Sequence, residues 1–306
     1  MPLPPSSSMS VEGLLRLVDS PAAMAEIGAG LTLSPSIRTI ATGAMSTLPE
    51  DDAARIWLGR EGFALLEGLA EPNVCAGLVR AVEALRAREL PAAFVYAFDE
   101  AWVIGQSILR HISAALGHEY RLVEDVWAWH IPAGRGRGWP AHRGIPYARL
   151  DRDAPEIINA WVALTDVTPE RSCMHAVPLD DDPGYPGALD TLVAPLEVVR
   201  ALPAAAGDAL FWNANVLHWG GPCSARALGA RVSCSFTLCR ADAVARFPDL
   251  SLLSPIETFD LPRRMDVLAR MIVVYGDGQH DVAEAVREWA RLAHALSARF
   301  GQRKAP

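Results

Sequence analysis

The stretch from residue 122 to residue 238 constrains the fold more than any other. Short apolar runs follow one another there, at 122–131 (LVEDVWAWHI), 157–164 (IINAWVAL), 174–177, 209–217 (ALFWNANVL) and 232–238. Gly- and Pro-rich turns such as PAGRGRGWP and DDDPGYPG separate them, with no helical period between. Consecutive strands without intervening helices pair antiparallel, so a sandwich or barrel is expected rather than a βαβ sheet. Residues 62–69 (GFALLEGL) add one more strand candidate. The run at 231–239 (RVSCSFTLC) carries a second message. Val232, Cys234, Phe236 and Leu238 share one face, while Arg231, Ser233, Ser235 and Thr237 share the other. Such a strand suits the wall of a polar interior pocket, with Arg231 placed to grip a carboxylate and Ser233 to add a hydrogen bond.

Both flanks read as helical. Residues 11–19 carry helical spacing, residues 74–90 put Val74, Leu78, Val82 and Leu85 on one face, and a further helix is expected at 100–116. Helical period returns from Pro255 and is clearest over 282–300. The expected organisation is an accessory segment at 1–50, a core at 51–245 and a C-terminal helical extension at 246–306 packed on that core. The fold class is mainly β with flanking helices.

Composition removes several functions. Of 28 Lys and Arg residues only Lys304 is a lysine, so Schiff-base, pyridoxal-phosphate and phosphate-loop lysines are excluded from the folded body. A formal charge of −8 argues against a nucleic-acid polymer or an anionic membrane as partner. The Pro/Ser-rich start lacks the pattern of a secretory signal, and no apolar run is long enough to span a bilayer. The five cysteines contain no C-x-x-C pair and read as buried thiols in a reducing compartment. A soluble cytoplasmic protein acting on a small molecule is expected.

Of eight histidines, His111, His118, His280 and His294 fall in helical regions and read as surface or capping residues. His130, His142, His175 and His218 fall among the strands and are candidates as metal ligands. Their surroundings carry a resemblance. The blocks GFALLEGL from Gly62, WPAHRG from Trp139, WVALTDVTPE from Trp161, CMHAVP from Cys173, GDALFW from Gly207, HWG from His218 and RVS from Arg231 occur in that order. Together they resemble the phytanoyl-CoA dioxygenase-like branch of the Fe(II)/2-oxoglutarate oxygenases, over roughly residues 53–240. The resemblance implies a double-stranded β-helix, a cupin-like jelly roll with helices outside.

In that family His-x-Asp and a distal His hold Fe(II), with positions left for 2-oxoglutarate and O2. Carried onto this chain, the resemblance implies His142 and His218 as the iron ligands. It implies Arg231, assisted by Ser233, as the anchor of the far carboxylate of 2-oxoglutarate, with Trp161 lining that pocket. The chain departs from the pattern at the acid, because it reads His142-Arg143-Gly144. The related iron halogenases carry Gly or Ala there and bind chloride beside the iron. The resemblance therefore implies a halogenase that chlorinates an unactivated sp3 carbon through a chloro-iron(IV)-oxo species, with Gly144 marking the chloride site. Two alternatives stay open: a hydroxylase whose ligand set is restored elsewhere, and a non-catalytic small-molecule-binding jelly roll. Asp151 and Asp153 follow Gly144 but are a long reach from a strand end.

Arg135, Arg137, Arg143, Arg149 and Arg152 crowd the first ligand. They read either as a salt-bridged loop with Asp151, Asp153 and Glu156, or as a clamp for an anionic metabolite such as a nucleotide or an amino-acid-like molecule. His130, Arg143, Arg149, His175 and Asn215 are the candidates for contacting substrate or supporting the ligands. Trp127, Trp129, Trp139, Trp161, Trp212 and Trp219 are expected mostly as core walls, with one or two facing substrate.

Overall fold

The alternation at 231–239 is a strand, and its two faces divide the molecule. A computed structural model describes residues 10–35, 37, 58–136, 138–145, 148, 151–253, 259–279 and 282–301. Its strands are β1 (Phe63–Leu66), β2 (Tyr120–Ile131), β3 (Ile157–Ala163), β4 (Met174–Ala176), β5 (Arg200–Leu202), β6 (Ala209–Asn213), β7 (His218–Gly220) and β8 (Arg231–Arg240). They form a five-stranded sheet in the order β1-β6-β3-β8-β2 and a three-stranded sheet in the order β5-β4-β7. All pairings are antiparallel. In the large sheet Ser235 of β8 lies between Trp127 of β2 and Trp161 of β3, and Ser233 between Trp129 and Ala163. Paired residues share a face, so the polar side of β8 and the tryptophans of its neighbours look the same way.

The other face of the large sheet is apolar and carries helices. These are α1 (Val11–Val18), α2 (Pro21–Ile27), α3 (Pro72–Arg86), α4 (Asp99–Leu116), α5 (Leu261–Tyr275) and α6 (Glu284–Gly301). Val126, Ala128, Ala160, Val162, Val232, Cys234 and Phe236 share one buried core with Leu78, Val82, Trp102, Ile108, Leu268 and Trp289. The approach of α4 is close: a Cβ on Gly105 would stand 2.7 Å from the Phe236 ring. Residues from both flanks join this core, Leu14 and Met24 from one and Val286 and Ala290 from the other. A buried ion pair between Arg264 and Asp99 at 2.6 Å ties α5 to the start of α4. A second core lies between the sheets, where Phe63, Trp161 and Trp212 meet Met174, Ala176 and Leu179. Two facing antiparallel sheets with helices outside make the cupin-like jelly roll.

One boundary differs from expectation. The apolar run at 209–217 is not a single strand: it stops at Asn213, and a turn leads straight into β7. Asn213 makes that turn, its Oδ1 accepting from the Asn215 N–H at 3.1 Å and its carbonyl from Val216 at 2.9 Å. His218 thus opens a strand of its own. No helix among the described residues is long and apolar enough to cross a membrane.

Candidate metal and cosubstrate site

His142 and His218 are brought together by backbone pairing. The Gly/Arg stretch expected as a loop runs alongside β7. Cys223 N–H donates to the Gly136 carbonyl at 3.1 Å and Gly220 N–H to the Trp139 carbonyl at 3.1 Å. His142 and His218 then exchange both main-chain hydrogen bonds at 3.0 Å. Their rings lie 4.2 Å apart, centre to centre.

Each ring is oriented by a carbonyl. Nδ1 of His142 is 2.8 Å from the Pro140 oxygen, and Nδ1 of His218 is 2.9 Å from the Val216 oxygen. A carbonyl only accepts, so each Nδ1 carries the proton and each Nε2 keeps a free lone pair. Burial favours the neutral rings. It pushes His218 well below the usual histidine range, helped by the repulsion two protonated rings would feel and by the Arg143 charge, and lowers His142 as well. Two neutral imidazoles with Nδ1 tied to carbonyls are the donor arrangement that metal-binding histidines use. Both line one cavity of about 250 Å3 between the sheets.

Arg231 lines the same cavity from β8 and is 1% exposed. Its guanidinium lies 5.5 Å from the Trp161 ring and 5.8 Å from the Trp129 ring. Nη1 donates to the Ser172 carbonyl at 3.3 Å, while Nε has no partner. No acidic side chain among the described residues pairs with it. Burial lowers its pKa to about 10, which still leaves it charged at neutral pH. A buried cation without a carboxylate is costly, and an anionic ligand relieves that cost. Ser233 Oγ is unpaired but does not line the cavity; the indole Nε1 atoms of Trp129, Trp161 and Trp212, which line it, are also buried without a partner. These unmet donors fit a dicarboxylate, and the histidine pair fits a divalent metal.

At Gly144 the main chain is fixed by an N–H donated to the Ala214 carbonyl at 2.8 Å. A Cβ on Gly144 would stand 2.5 Å from Oδ1 of Asn159. Asn159 Nδ2 donates to Thr237 Oγ1 at 3.0 Å, and that hydroxyl donates to Asp125 at 2.9 Å. Tyr275 donates to the other oxygen of Asp125 at 2.5 Å. All four residues line the cavity. Among the described residues, no group of three or more His, Cys, Asp or Glu side chains could hold a metal.

Residues 58–227 match the family described as phytanoyl-CoA dioxygenase (PhyH). The chain belongs to that family. Phytanoyl-CoA dioxygenase-family proteins are Fe/2-oxoglutarate-dependent enzymes of the oxygenase type. Among solved structures the chain is similar to the non-heme alpha ketoglutarate dependent epimerase SnoN from nogalamycin biosynthesis. The identity is 21% and the TM-score 0.50, over 62% of this chain and 83% of that one. It is also similar to AviO1 from Streptomyces viridochromogenes Tue57, at 18% identity and TM-score 0.50, over 63% of this chain and 96% of that one. At these identities the likeness is one of fold. No curated protein matches the chain.

Within this phytanoyl-CoA dioxygenase-family fold the remaining candidates fall elsewhere. Arg143 is not a substrate clamp. Its guanidinium is bidentate to Asp182, at 2.5 and 3.0 Å, and also donates to the carbonyls of Leu189, Thr191 and Asn215. The pair is almost wholly buried and holds the 182–191 loop against the His142 segment. Asn215 is buried at the turn before β7, where its carbonyl serves Arg143, and it does not line the cavity. His175 sits between Met174 and Ala176 on β4, so it faces away from the cavity, stacked 5.5 Å from Trp219. His130 lines an outer cleft with Arg135 and Gln279. Arg152 is taken by Asp180 at 2.6 Å. Arg149 and Arg137 lie outside the described residues. Asp151 pairs with Arg240 at 2.9 Å and accepts two backbone N–H groups, so it is committed away from the histidine pair.

Sequence reasoning missed Asn159, Asp125 and Tyr275. Asn159 carried a signal, since it precedes Trp161 by two residues and so shares its face of β3. Thr237 was already on the polar face of β8. Tyr275 ends a helix far along the chain, and nothing in its neighbourhood pointed to the site.

Proposed function

We propose that this chain is an Fe(II)/2-oxoglutarate-dependent oxygenase of a small polar molecule. One observation carries the reading: a buried Arg231 without an acidic partner faces the same cavity as two neutral imidazoles whose Nε2 atoms are free. His142 and His218 hold the metal. Arg231 binds the far carboxylate of 2-oxoglutarate, with Trp161 as a wall; the unpaired Ser233 Oγ lies two residues along the same face of β8, outside the cavity lining. When bound, iron and 2-oxoglutarate supply O2 activation coupled to oxidative decarboxylation, which yields succinate and carbon dioxide. The tryptophans around the cavity exclude water and strengthen each charge interaction within it.

A second reading, chlorination of an unactivated sp3 carbon, is favoured by Gly144. A residue without a carboxylate leaves the charge balance at iron to an exogenous anion such as chloride. An anionic substrate loses part of its support, because Arg143 and Arg152 are already paired and the acid Asp125 lines the cavity.

The test mixes anaerobic protein with Fe(II), 2-oxoglutarate and chloride, then admits labelled O2 with candidate metabolites. Succinate and a product carrying labelled oxygen are expected. A product with the chlorine isotope doublet moves the assignment to the second reading. No succinate under any condition leaves a binding protein.

A further inference from the structure

We infer that Asn159 supplies, through Oδ1, the third protein ligand of the metal held by His142 and His218, in the place of the carboxylate that residue 144 lacks. The inference rests on the two-histidine metal reading above and concerns what completes it.

Position comes first. Oδ1 of Asn159 stands 2.5 Å from an ideal Cβ on Gly144. In an aspartate the carboxylate oxygens lie about 2.4 Å from their own Cβ, given ordinary C–C and C–O bond lengths. The Asn159 oxygen is therefore at the range from that Cβ which an aspartate oxygen at 144 would occupy. It reaches there from β3 rather than from the His142 loop.

Orientation is set by a relay of hydrogen bonds. Asp125 is a carboxylate that accepts from Tyr275 and from Thr237. The Thr237 hydroxyl spends its only proton on Asp125, so its oxygen must accept from Asn159. That assigns Nδ2 of Asn159 to Thr237 and turns Oδ1 toward Gly144. Turning the amide over would place its oxygen against Thr237 and cost one bond of the relay.

Satisfaction follows from burial. Oδ1 is shut off from solvent and has no hydrogen-bond partner. A buried acceptor in that state calls for a donor or a cation. A carboxamide oxygen is a neutral oxygen donor, weaker than a carboxylate but suited to a divalent metal alongside two imidazoles. The same geometry gives Gly144 a reason of its own: any Cβ there would strike the Asn159 oxygen, so the two residues form a matched pair. An acceptor oxygen in this position also repels an anion. Asn159 in this role therefore weighs against the chlorination reading, since halide has no ready place beside the metal while it is present.

The experiment uses Co(II) as probe with the full chain. Affinity is measured by calorimetry and the visible absorption spectrum is recorded with and without chloride. Asn159→Ala should weaken Co(II) at least tenfold, change the spectrum and make it respond to chloride. Asn159→Asp, nearly the same shape, should bind Co(II) more tightly than wild type. Circular dichroism melting checks that both variants are folded, and the tighter binding of Asn159→Asp stands as a separate readout should the alanine variant fail to fold. Wild-type affinity and spectrum in Asn159→Ala, with no gain in Asn159→Asp, would overturn this inference alone. No Co(II) binding by wild type would overturn the two-histidine reading and this inference with it.

Discussion

His142 and His218 exchange both backbone hydrogen bonds at 3.0 Å while each ring is steered by a different carbonyl. The main-chain contact, not the imidazoles, holds the two segments together. Replacing either ring by Ala should therefore remove metal binding and leave the thermal midpoint within a few degrees of wild type. Metal content after anaerobic loading and dialysis, beside a melting curve, checks this. A large loss of stability in both variants would count against it.

Arg231 is buried as an unpaired cation, a cost to the fold that the proposed 2-oxoglutarate carboxylate would relieve. Arg231→Met should keep or raise stability, since a buried cation without a carboxylate partner carries a desolvation cost that an apolar side chain does not. The same variant should bind 2-oxoglutarate at least a hundredfold more weakly in a calorimetric titration of the Mn(II)-loaded protein. A stable variant with unchanged affinity would remove Arg231 from the cosubstrate site.

The jelly roll was legible because strand alternation reports which side of a sheet is buried. The face Arg231, Ser233, Ser235 and Thr237 was visible in the sequence, and so were both histidines. What was hidden depends on chain crossings. Arg143 sits beside His142 in sequence, yet its side chain turns to Asp182 on a distant loop. Asn159 lies on another strand, and only the pairing of β3 with β8 brings it to Thr237 and Gly144. The glycine was readable as a missing acid. The oxygen that stands in its place was not.

The Arg143–Asp182 pair has side chains 1% and 0% exposed, so neither charge can turn to water when its partner is lost. Asp182→Ala should destabilise by about 3–5 kcal/mol, the usual cost of leaving a buried charge alone. Arg143→Met together with Asp182→Leu should recover part of that loss. Urea denaturation of the three proteins gives the comparison. Equal midpoints for wild type and Asp182→Ala would deny the clamp.

Gly144→Asp does not simply restore an oxygenase ligand set. The new side chain meets the Asn159 oxygen at 2.5 Å, and overpacking of that kind costs about 1–3 kcal/mol. The variant should melt lower than wild type without gaining metal affinity. Adding Asn159→Ala should relieve the clash and bind Co(II) more tightly than either single variant. Full affinity gain in Gly144→Asp alone would show that the two side chains do not compete.

The central claim is a metal and a 2-oxoglutarate held together by His142, His218 and Arg231. Anaerobic absorption titration of the full chain tests it most directly, with Fe(II) added first and 2-oxoglutarate second. A metal-to-ligand charge-transfer band that saturates at one equivalent, and is lost in His218→Ala and in Arg231→Met, is the predicted result. No band at saturating Fe(II) and 2-oxoglutarate, or a band that survives both substitutions, would contradict it.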